Sequence, residues 1–451
     1  MKILIRGAGD LATGIASRLY GAGHQILMTE IAVPLTVRRT VALSRAVYEG
    51  RAQVEEMKGV LVKDQAGAEK VMADGDIAVM VDEKAACCEW FRPDVIVDAI
   101  LAKKNLGTKI TDAPFVIGVG PGFTAGTDCN CVVETKRGHT LGNIIWRGEA
   151  IPNTGVPGNV AGYTIERLIR AEADGILKPK AKIGDHVEKG SVVAVTGGVP
   201  VYAQMTGIVR GMLQSGVQVS KNLKIGDIDA RAEISHCYTI SDKARAIGGG
   251  VLEAVMGFER MKDEFAIVIL AAGAGTRFGG NKLNALVRNK PLYRHTLERA
   301  EAFGAFPAYI VTGSEEIARE AERTGITAVW NKEPERGIAL SLTLGLKKAL
   351  EDRPGLKGVL FSVCDQPGLD TSTMQQIFRT ASRHPGSIVC AGSGERTGNP
   401  VCWDRTFFQE LLALDGDEGG RKIMRKYREK VRIIQADPEE LKDIDRREDL
   451  V

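Results

Sequence analysis

Residues 270–282 read LAAGAGTRFGGNK and follow an apolar run, residues 267–270, with the composition of a buried strand. A glycine-rich turn after a strand points backbone N–H groups outward and cradles phosphate. What decides the fold is which phosphate it takes. A dinucleotide turn starts its helix at once and meets an acid about twenty residues on, at the end of the next strand. Here Arg277 and Lys282 stand inside the loop, and the acids at that distance, Glu298 and Glu301, fall in a helical pattern. Two cations suit a triphosphate, whose extra charge needs point cations as well as N–H groups. No Gly-Lys-Ser/Thr follows, so this is not a Walker loop. Backbone N–H groups of Ala272, Gly273, Ala274 and Gly275 are expected to hold the triphosphate. Further on, FSVCDQPGLD (residues 361–370) runs apolar residues into Asp365. A carboxylate at that strand end suits Mg²⁺, which takes one or two carboxylates plus phosphate oxygens. The stretch LKDIDRREDLV (residues 441–451) adds Asp443 and Asp445, read either as further metal carboxylates or as a solvated tail.

A second turn, RGAGDLATG (residues 6–14), has the other form. Gly7, Gly9 and Ala12 make G-x-G-x-x-A, and Glu30 ends the next strand about twenty residues on, as a dinucleotide fingerprint requires. Two readings stand: an NAD-like nucleotide site, or a Rossmann-like sheet whose glycines serve close packing. Asp10 and Thr13 near the helix start can equally cap it.

The 451 residues exceed one ordinary core, so two or three domains are expected. Charged residues are 26%, aromatics 5%, and the net charge is +3 without a basic block, which predicts neither nucleic acid nor a membrane as partner. The opening MKILIRGAGD reads as a strand, not a leader, and the eight cysteines lack the dense spacing of a secreted scaffold. A cytoplasmic location with reduced thiols is expected.

Strand and helix patterns alternate over residues 1–117, which predicts a Rossmann-like parallel sheet. Residues 118–174 form a Gly-rich functional loop and strand region. There Cys129 and Cys131, at strand spacing, are expected to share one face, with His139 near in sequence. They read as a soft-metal, sulfur or selenium site, or as two buried structural thiols. Arg137 and His139 can instead grip an anionic group such as a pterin phosphate. Short β-branched runs over residues 175–235 predict hairpins. Residues 236–263 read as linker and helix, with a domain boundary near 260–264. A second alternating unit covers 264–451, so the chain is α/β throughout apart from one small all-β segment.

Residues 175–235 resemble the β-sandwich of lipoyl and biotinyl carrier domains. The expected hairpin tip, GVPVYAQMTG (residues 198–207), contains no lysine, so the carrier shape is expected without a linked prosthetic group. From residue 265 onward the chain resembles the molybdenum cofactor cytidylyltransferases, within the nucleotide-diphospho-sugar transferase-like fold that also holds the molybdopterin guanylyltransferases. Leu270, Ala271, Ala272, Gly273, Arg277, Gly279 and Lys282 fit its loop pattern. Asn331, Gly337, Ser341 and Leu342 fit a second block, and Asp365, Gln366 and Pro367 fit D-Q-P. Gly416, Asp417, Gly419 and Arg421 fit a fourth block, and residues 443–450 the terminal D-I-D-x-x-E-D-L. Where the family often has G-H-P, this chain has Gly398, Asn399 and Pro400. The resemblance implies transfer of CMP from CTP to molybdopterin cofactor, releasing pyrophosphate. Arg277 and Lys282 would stabilise charge, and Asp365 and Asp445 would hold Mg²⁺. Leu270, Ala271, Ala272, Gly273, Ala274, Gly275, Asn331 and Ser341 would line the nucleotide, and Asn399, Asp417 and Arg421 the substrate. Ala-Ala-Gly at 271–273 resembles the cytidylyl branch.

Residues 1–257 resemble the selenium-dependent molybdenum hydroxylase accessory proteins. The stretches RGAGDLATG, VDAILAKKNLGT, GPGFTAG, VVETKRGHTLG, NTGVPG, KIGDID and ISDKARAIGGGVLEA carry the resemblance. It implies a client molybdenum hydroxylase, not a reaction. The rival readings are GTP or a sugar phosphate as substrate, a non-catalytic cofactor-insertion chaperone, and an NAD-linked oxidoreductase in the first half.

Overall fold

The computed structural model describes residues 1–153, 155, 162–273 and 278–450. Two compact units divide at Val255/Met256. The boundary expected at 260–264 falls inside a helix, Asp242–Glu264. The division lies earlier because this helix belongs to the first unit as far as its glycines reach. A Cβ on Gly248 would stand 2.5 Å from the Gly14 carbonyl oxygen, and one on Gly250 would stand 2.1 Å from that of Gly142. From there on, Phe258 packs edge-on against Phe306 of the second unit.

The first unit is built on a nine-stranded sheet. Its order is Ile144–Ile145, Cys131–Val133, Phe115–Val119, Val95–Asp98, Lys2–Arg6, Gln25–Glu30, Ile77–Val81, Met57–Val62, Arg51–Val54. All neighbours pair parallel except at the two ends. The central strands are buried along almost their whole length, as a sheet covered on both faces requires. Phe115–Val119 crosses the expected boundary at 117/118, and Cys131–Val133 and Ile144–Ile145 extend the same sheet. The first part of the Gly-rich stretch therefore supplies loop and edge strands of the Rossmann-like sheet, and Leu168–Arg170 joins an antiparallel sheet instead.

Two four-stranded antiparallel sheets follow. One runs Leu168–Arg170, Lys224–Asp229, Gly207–Met212, His186–Val187; the other runs Val199–Tyr202, Val192–Thr196, Gly175–Pro179, Gln218–Val219. They share a core that includes Leu177, Val193, Val209 and Ile225. The expected tip at 198–207 is displaced. Val199–Tyr202 is itself a strand paired with Val192–Thr196, so the hairpin turns at Gly197 and Gly198.

The second unit holds a seven-stranded sheet ordered Thr327–Trp330, Ala308–Thr312, Phe265–Ala271, Gly358–Val363, Arg396–Asp404, Ile388–Ser393, Val431–Gln435. Only Arg396–Asp404 runs against its neighbours. The chain leaves Phe265–Ala271 for one side and returns to Gly358–Val363 on the other. That creates the switch point at which open α/β sheets bind ligands. Among the described residues no helix is long and apolar enough to cross a membrane.

Candidate active site

Phe265–Ala271 and Gly358–Val363 are neighbours in register, with Leu270 opposite Val363. Their carboxyl ends therefore bring the glycine loop and Asp365 together. Ala272 and Gly273 leave the first strand, and a Cβ on Gly273 would meet nothing within 4 Å. Ala274, Gly275 and Arg277 lie outside the described residues. The chain returns at Phe278, buried with Val287, Leu292 and Ile444.

That small apolar cluster seats the C-terminal tail. Ile444 is 5% exposed, and its N–H donates to the Asp365 carbonyl oxygen at 2.9 Å. In an extended stretch the side chains flanking a buried residue point the other way. Asp443 and Asp445 thus lie beside the strand end, Asp443 exposed and Asp445 half-buried. The Lys282 ammonium donates to Asp365 Oδ2 at 2.9 Å and to Asp445 Oδ1 at 3.1 Å. Burial opposes its charge, but Asp365 and Asp445 outweigh burial and hold its pKa above the ordinary lysine value. Gln366 donates to Asp443 Oδ1 at 3.0 Å. Burial, then the charge of Asp365, pushes the Asp443 carboxyl above the usual range. Asp365 Oδ1 is buried without a partner among the described residues.

Sequence reasoning passed over Arg299. It is 8% exposed and donates to the carbonyl oxygens of Gln366 (2.8 Å) and Pro367 (3.2 Å), which anchors the D-Q-P turn from behind. Its only signal was a cation on the buried face of helix Leu292–Glu301. Asn331, 1% exposed, donates to Ser341 Oγ at 3.0 Å and accepts from the Glu333 N–H at 3.0 Å. The pair braces the turn into helix Ile338–Asp352. Gly337 caps that helix at φ +91°, where a Cβ would lie 2.3 Å from the Gly416 carbonyl oxygen and 2.6 Å from Asp417 Oδ1. Asp417 is thus placed at the helix start. Arg421 is exposed at the head of helix Arg421–Lys426, and Asn399 is half-buried in Arg396–Asp404.

Gly273, Lys282, Asp365 and Asp445 gather at the carboxyl ends of these two strands. Residues 267–431 match the family of MobA-like NTP transferase domains. This part of the chain is a MobA-like nucleotidyltransferase domain. A probable molybdenum cofactor guanylyltransferase of Thermococcus gammatolerans is 35% identical over 80 residues, 17% of this chain and 42% of that protein. The crystal structure of Rv0371c from Mycobacterium tuberculosis aligns over 41% of this chain and 94% of its own, at 28% identity and a TM-score of 0.36. The uncharacterized protein YqeB of Escherichia coli is 50% identical over 254 residues, 56% of this chain. The chain spans about half of YqeB, 47% of its length.

The first unit gathers some of its candidates and separates others. Gly7, Gly9, Asp10 and Glu30 line one cleft. Glu30 is engaged by the loop itself: Ala8 N–H donates to Oε2 at 3.0 Å and Ile31 N–H to Oε1 at 2.9 Å. Burial raises its pKa against the effect of both bonds. Cys129, Cys131 and His139 do not line the cleft. His139 is exposed and both thiols are fully buried. Nor do the two thiols share a face as expected. Cys129 joins a cluster with Val116, Phe123 and Val132 that does not contain Cys131. The alternation breaks at Asn130, whose side chain takes the Val116 N–H at 2.7 Å while its own N–H bonds the Val116 carbonyl. Burial pushes the Cys129 thiol up to about 12, which keeps it protonated and inert. None of the eight cysteines forms a disulfide. Among the described residues no group of three or more His, Cys, Asp or Glu side chains is arranged to hold a metal.

Proposed function

We propose that the MobA-like domain transfers CMP from CTP to the terminal phosphate of molybdopterin cofactor, releasing pyrophosphate, and that the protein serves maturation of a molybdenum hydroxylase. The observation that carries this reading is Lys282 bridging Asp365 and Asp445 beside the glycine loop. A phosphate oxygen of the acceptor forms the bond to the α-phosphorus, and the bond from that phosphorus to the bridging oxygen of pyrophosphate breaks. The acceptor is already an anion, so no general base is needed. Positioning and electrostatics supply the rate. Ala272 and Gly273 offer their backbone to the phosphates. Lys282 places a full charge where negative charge accumulates, and Arg299 holds the turn bearing Asp365 in place. Asp365 and Asp445 are hard oxygen donors, and Asp365 Oδ1 has no hydrogen-bond partner among the described residues. They fit Mg²⁺, with phosphate oxygens completing its shell. Bound there, Mg²⁺ would neutralise charge on the phosphates.

The guanylyltransferase relatives favour GTP as a second reading. Incubating the protein with molybdopterin cofactor and each nucleoside triphosphate, with mass analysis of the product, decides between them. A cytidylyl adduct with one pyrophosphate released per adduct is expected. A guanylyl adduct would replace the base assignment, and no adduct with any of the four would overturn the reading. Asp365→Asn is expected to lower the rate at least ~100-fold, about 2.7 kcal/mol of transition-state stabilisation. Its thermal unfolding midpoint should remain near that of the parent.

A further inference from the structure

A cleft of about 800 Å³ opens inside the first unit, separate from the nucleotidyltransferase site. One wall is the carboxyl edge of the parallel sheet: Gly7, Gly9 and Asp10 after Lys2–Arg6, and Ala99 and Ile100 after Val95–Asp98. Those two strands pair in parallel, yet the chain visits the other side of the sheet between them, so the cleft lies at a topological switch point. The facing wall comes from the β-sandwich and the start of helix Asp242–Glu264.

Cations dominate this space. Arg38, Arg137, Arg167, Arg210, Lys224 and Lys243 line it, against the carboxylates Asp10, Glu30 and Asp227. The carboxylates are largely committed. Glu30 is held by the loop N–H groups. Asp227, 1% exposed, takes Arg167 at 3.0 Å and Arg210 at 2.6 and 3.1 Å. Asp10 lies 3.6 Å from Arg38. Among the described residues, the ammonium groups of Lys224 and Lys243 form no ion pair within 4 Å and donate no hydrogen bond. Burial lowers the pKa of both lysines. Arg38 is 8% exposed; it donates to the carbonyl oxygens of His236 and Thr239, and its Nε is buried without a partner among the described residues. Asp227 and Asp10 act on Lys224, and Asp10, Glu134 and Asp242 on Lys243, but burial outweighs them. Desolvated cations cost stability, and folds keep such groups where a ligand supplies further opposite charge. The same cleft carries apolar side chains left open to solvent: Ile31, Leu35 and Ile100, at 37%, 47% and 36% exposure.

We propose that this cleft binds an organic phosphate with at least two negative charges and a flat ring, its anionic groups facing Lys224 and Lys243 and its ring lying on Ile31, Leu35 and Ile100. The cleft's volume is within the range of small-molecule sites. Glu30 is spent on the loop, so the cations of the facing wall, not the acid of the dinucleotide fingerprint, select the ligand. The proposal stands on residues 7–243 alone and is independent of nucleotidyl transfer.

The test uses the full chain carrying Lys282→Ala, in EDTA, to silence the nucleotidyltransferase site. Inorganic pyrophosphate, CDP and NADP⁺ are titrated by calorimetry. Saturable binding of at least one is expected, weakened at least tenfold when Lys224→Met and Lys243→Met are added. Tighter binding of CDP or NADP⁺ than of pyrophosphate identifies the ring the apolar wall prefers. The two Met substitutions are expected to leave the ligand-free thermal midpoint unchanged or raise it, because each removes a desolvated charge, and to leave nucleotidyl transfer untouched in a chain retaining Lys282. No saturable binding of any of the three probes would overturn the proposal. So would binding that Lys224→Met/Lys243→Met leaves intact.

Discussion

Asp229 shows how far a single buried carboxylate can tie stability to pH. It is 2% exposed, accepts from Arg231 at 2.9 and 2.5 Å, and lies 3.4 Å from Arg210. Burial alone would raise its pKa. The hydrogen bonds from Arg231 and the charge of Arg210 outweigh burial and hold it at about 2, below the ordinary value of 3.8. A carboxyl depressed on folding adds stability above its unfolded pKa and loses it as pH falls through the folded one. The gain, about 2 kcal/mol, should vanish between about pH 4 and pH 2. Urea midpoints measured across that window should fall in the parent protein and fall less steeply in Asp229→Asn. Asp443 carries the opposite sign. Its raised pKa means its contribution is full below 3.8 and lost as pH rises, so its ionised form opposes folding at neutral pH. At this scale the sequence was most legible where charge broke a motif, as Lys282 and Asp365 did. It was silent on Arg299, Lys224 and Lys243, because their meaning depends on burial and on which carboxylates are already taken, which spacing does not encode.

The three adjacent glycines of helix Asp242–Glu264 separate packing from propensity. A Cβ on Gly250 would meet the Gly142 carbonyl oxygen at 2.1 Å, and backbone cannot step aside. Gly249 faces open space, with nothing within 4 Å. Gly250→Ala is therefore expected to cost 1–3 kcal/mol or more by overpacking, while Gly249→Ala should gain up to about 1 kcal/mol of helix propensity. Paired urea titrations check this, since the same methyl on neighbouring residues must move the midpoint in opposite directions. The strands Ile77–Val81, Val95–Asp98, Ala308–Thr312 and Gly358–Val363 were readable from composition, because parallel strands buried on both faces are continuous apolar runs. Val431–Gln435 was not, since it is half-exposed and interleaved with charge. The Cys129–Cys131 expectation failed for a related reason. Strict alternation assumes regular strand, and the Asn130 side chain substitutes for the backbone at that point.

The chain divides into two compact units with different ligands expected for each. Calorimetry should accordingly resolve more than one unfolding transition. CTP with Mg²⁺ should raise only one of them, by an amount that grows with ligand concentration. That shift should disappear in Lys282→Ala and persist in Lys224→Met/Lys243→Met. A single transition that both ligands move together would argue against independent units. Length and the change of texture along the chain led to an expectation of two or three domains. The exact division did not follow, because a helix with glycine contacts in one unit and an aromatic contact in the other reads in sequence only as a linker. The glycine run in that helix also has a consequence for the order of events during synthesis. Three consecutive glycines withhold about 3 kcal/mol of helix propensity, so this segment is helical only once Gly14 and Gly142 are in place to receive it. Chains fold from the N-terminus as they leave the ribosome. The sheet should therefore form first, and the wall that carries Lys243 should close last. Pulsed amide exchange during refolding should find residues 243–250 protected after the strand Lys2–Arg6, making the cationic cleft a late product of folding that reports a finished first unit.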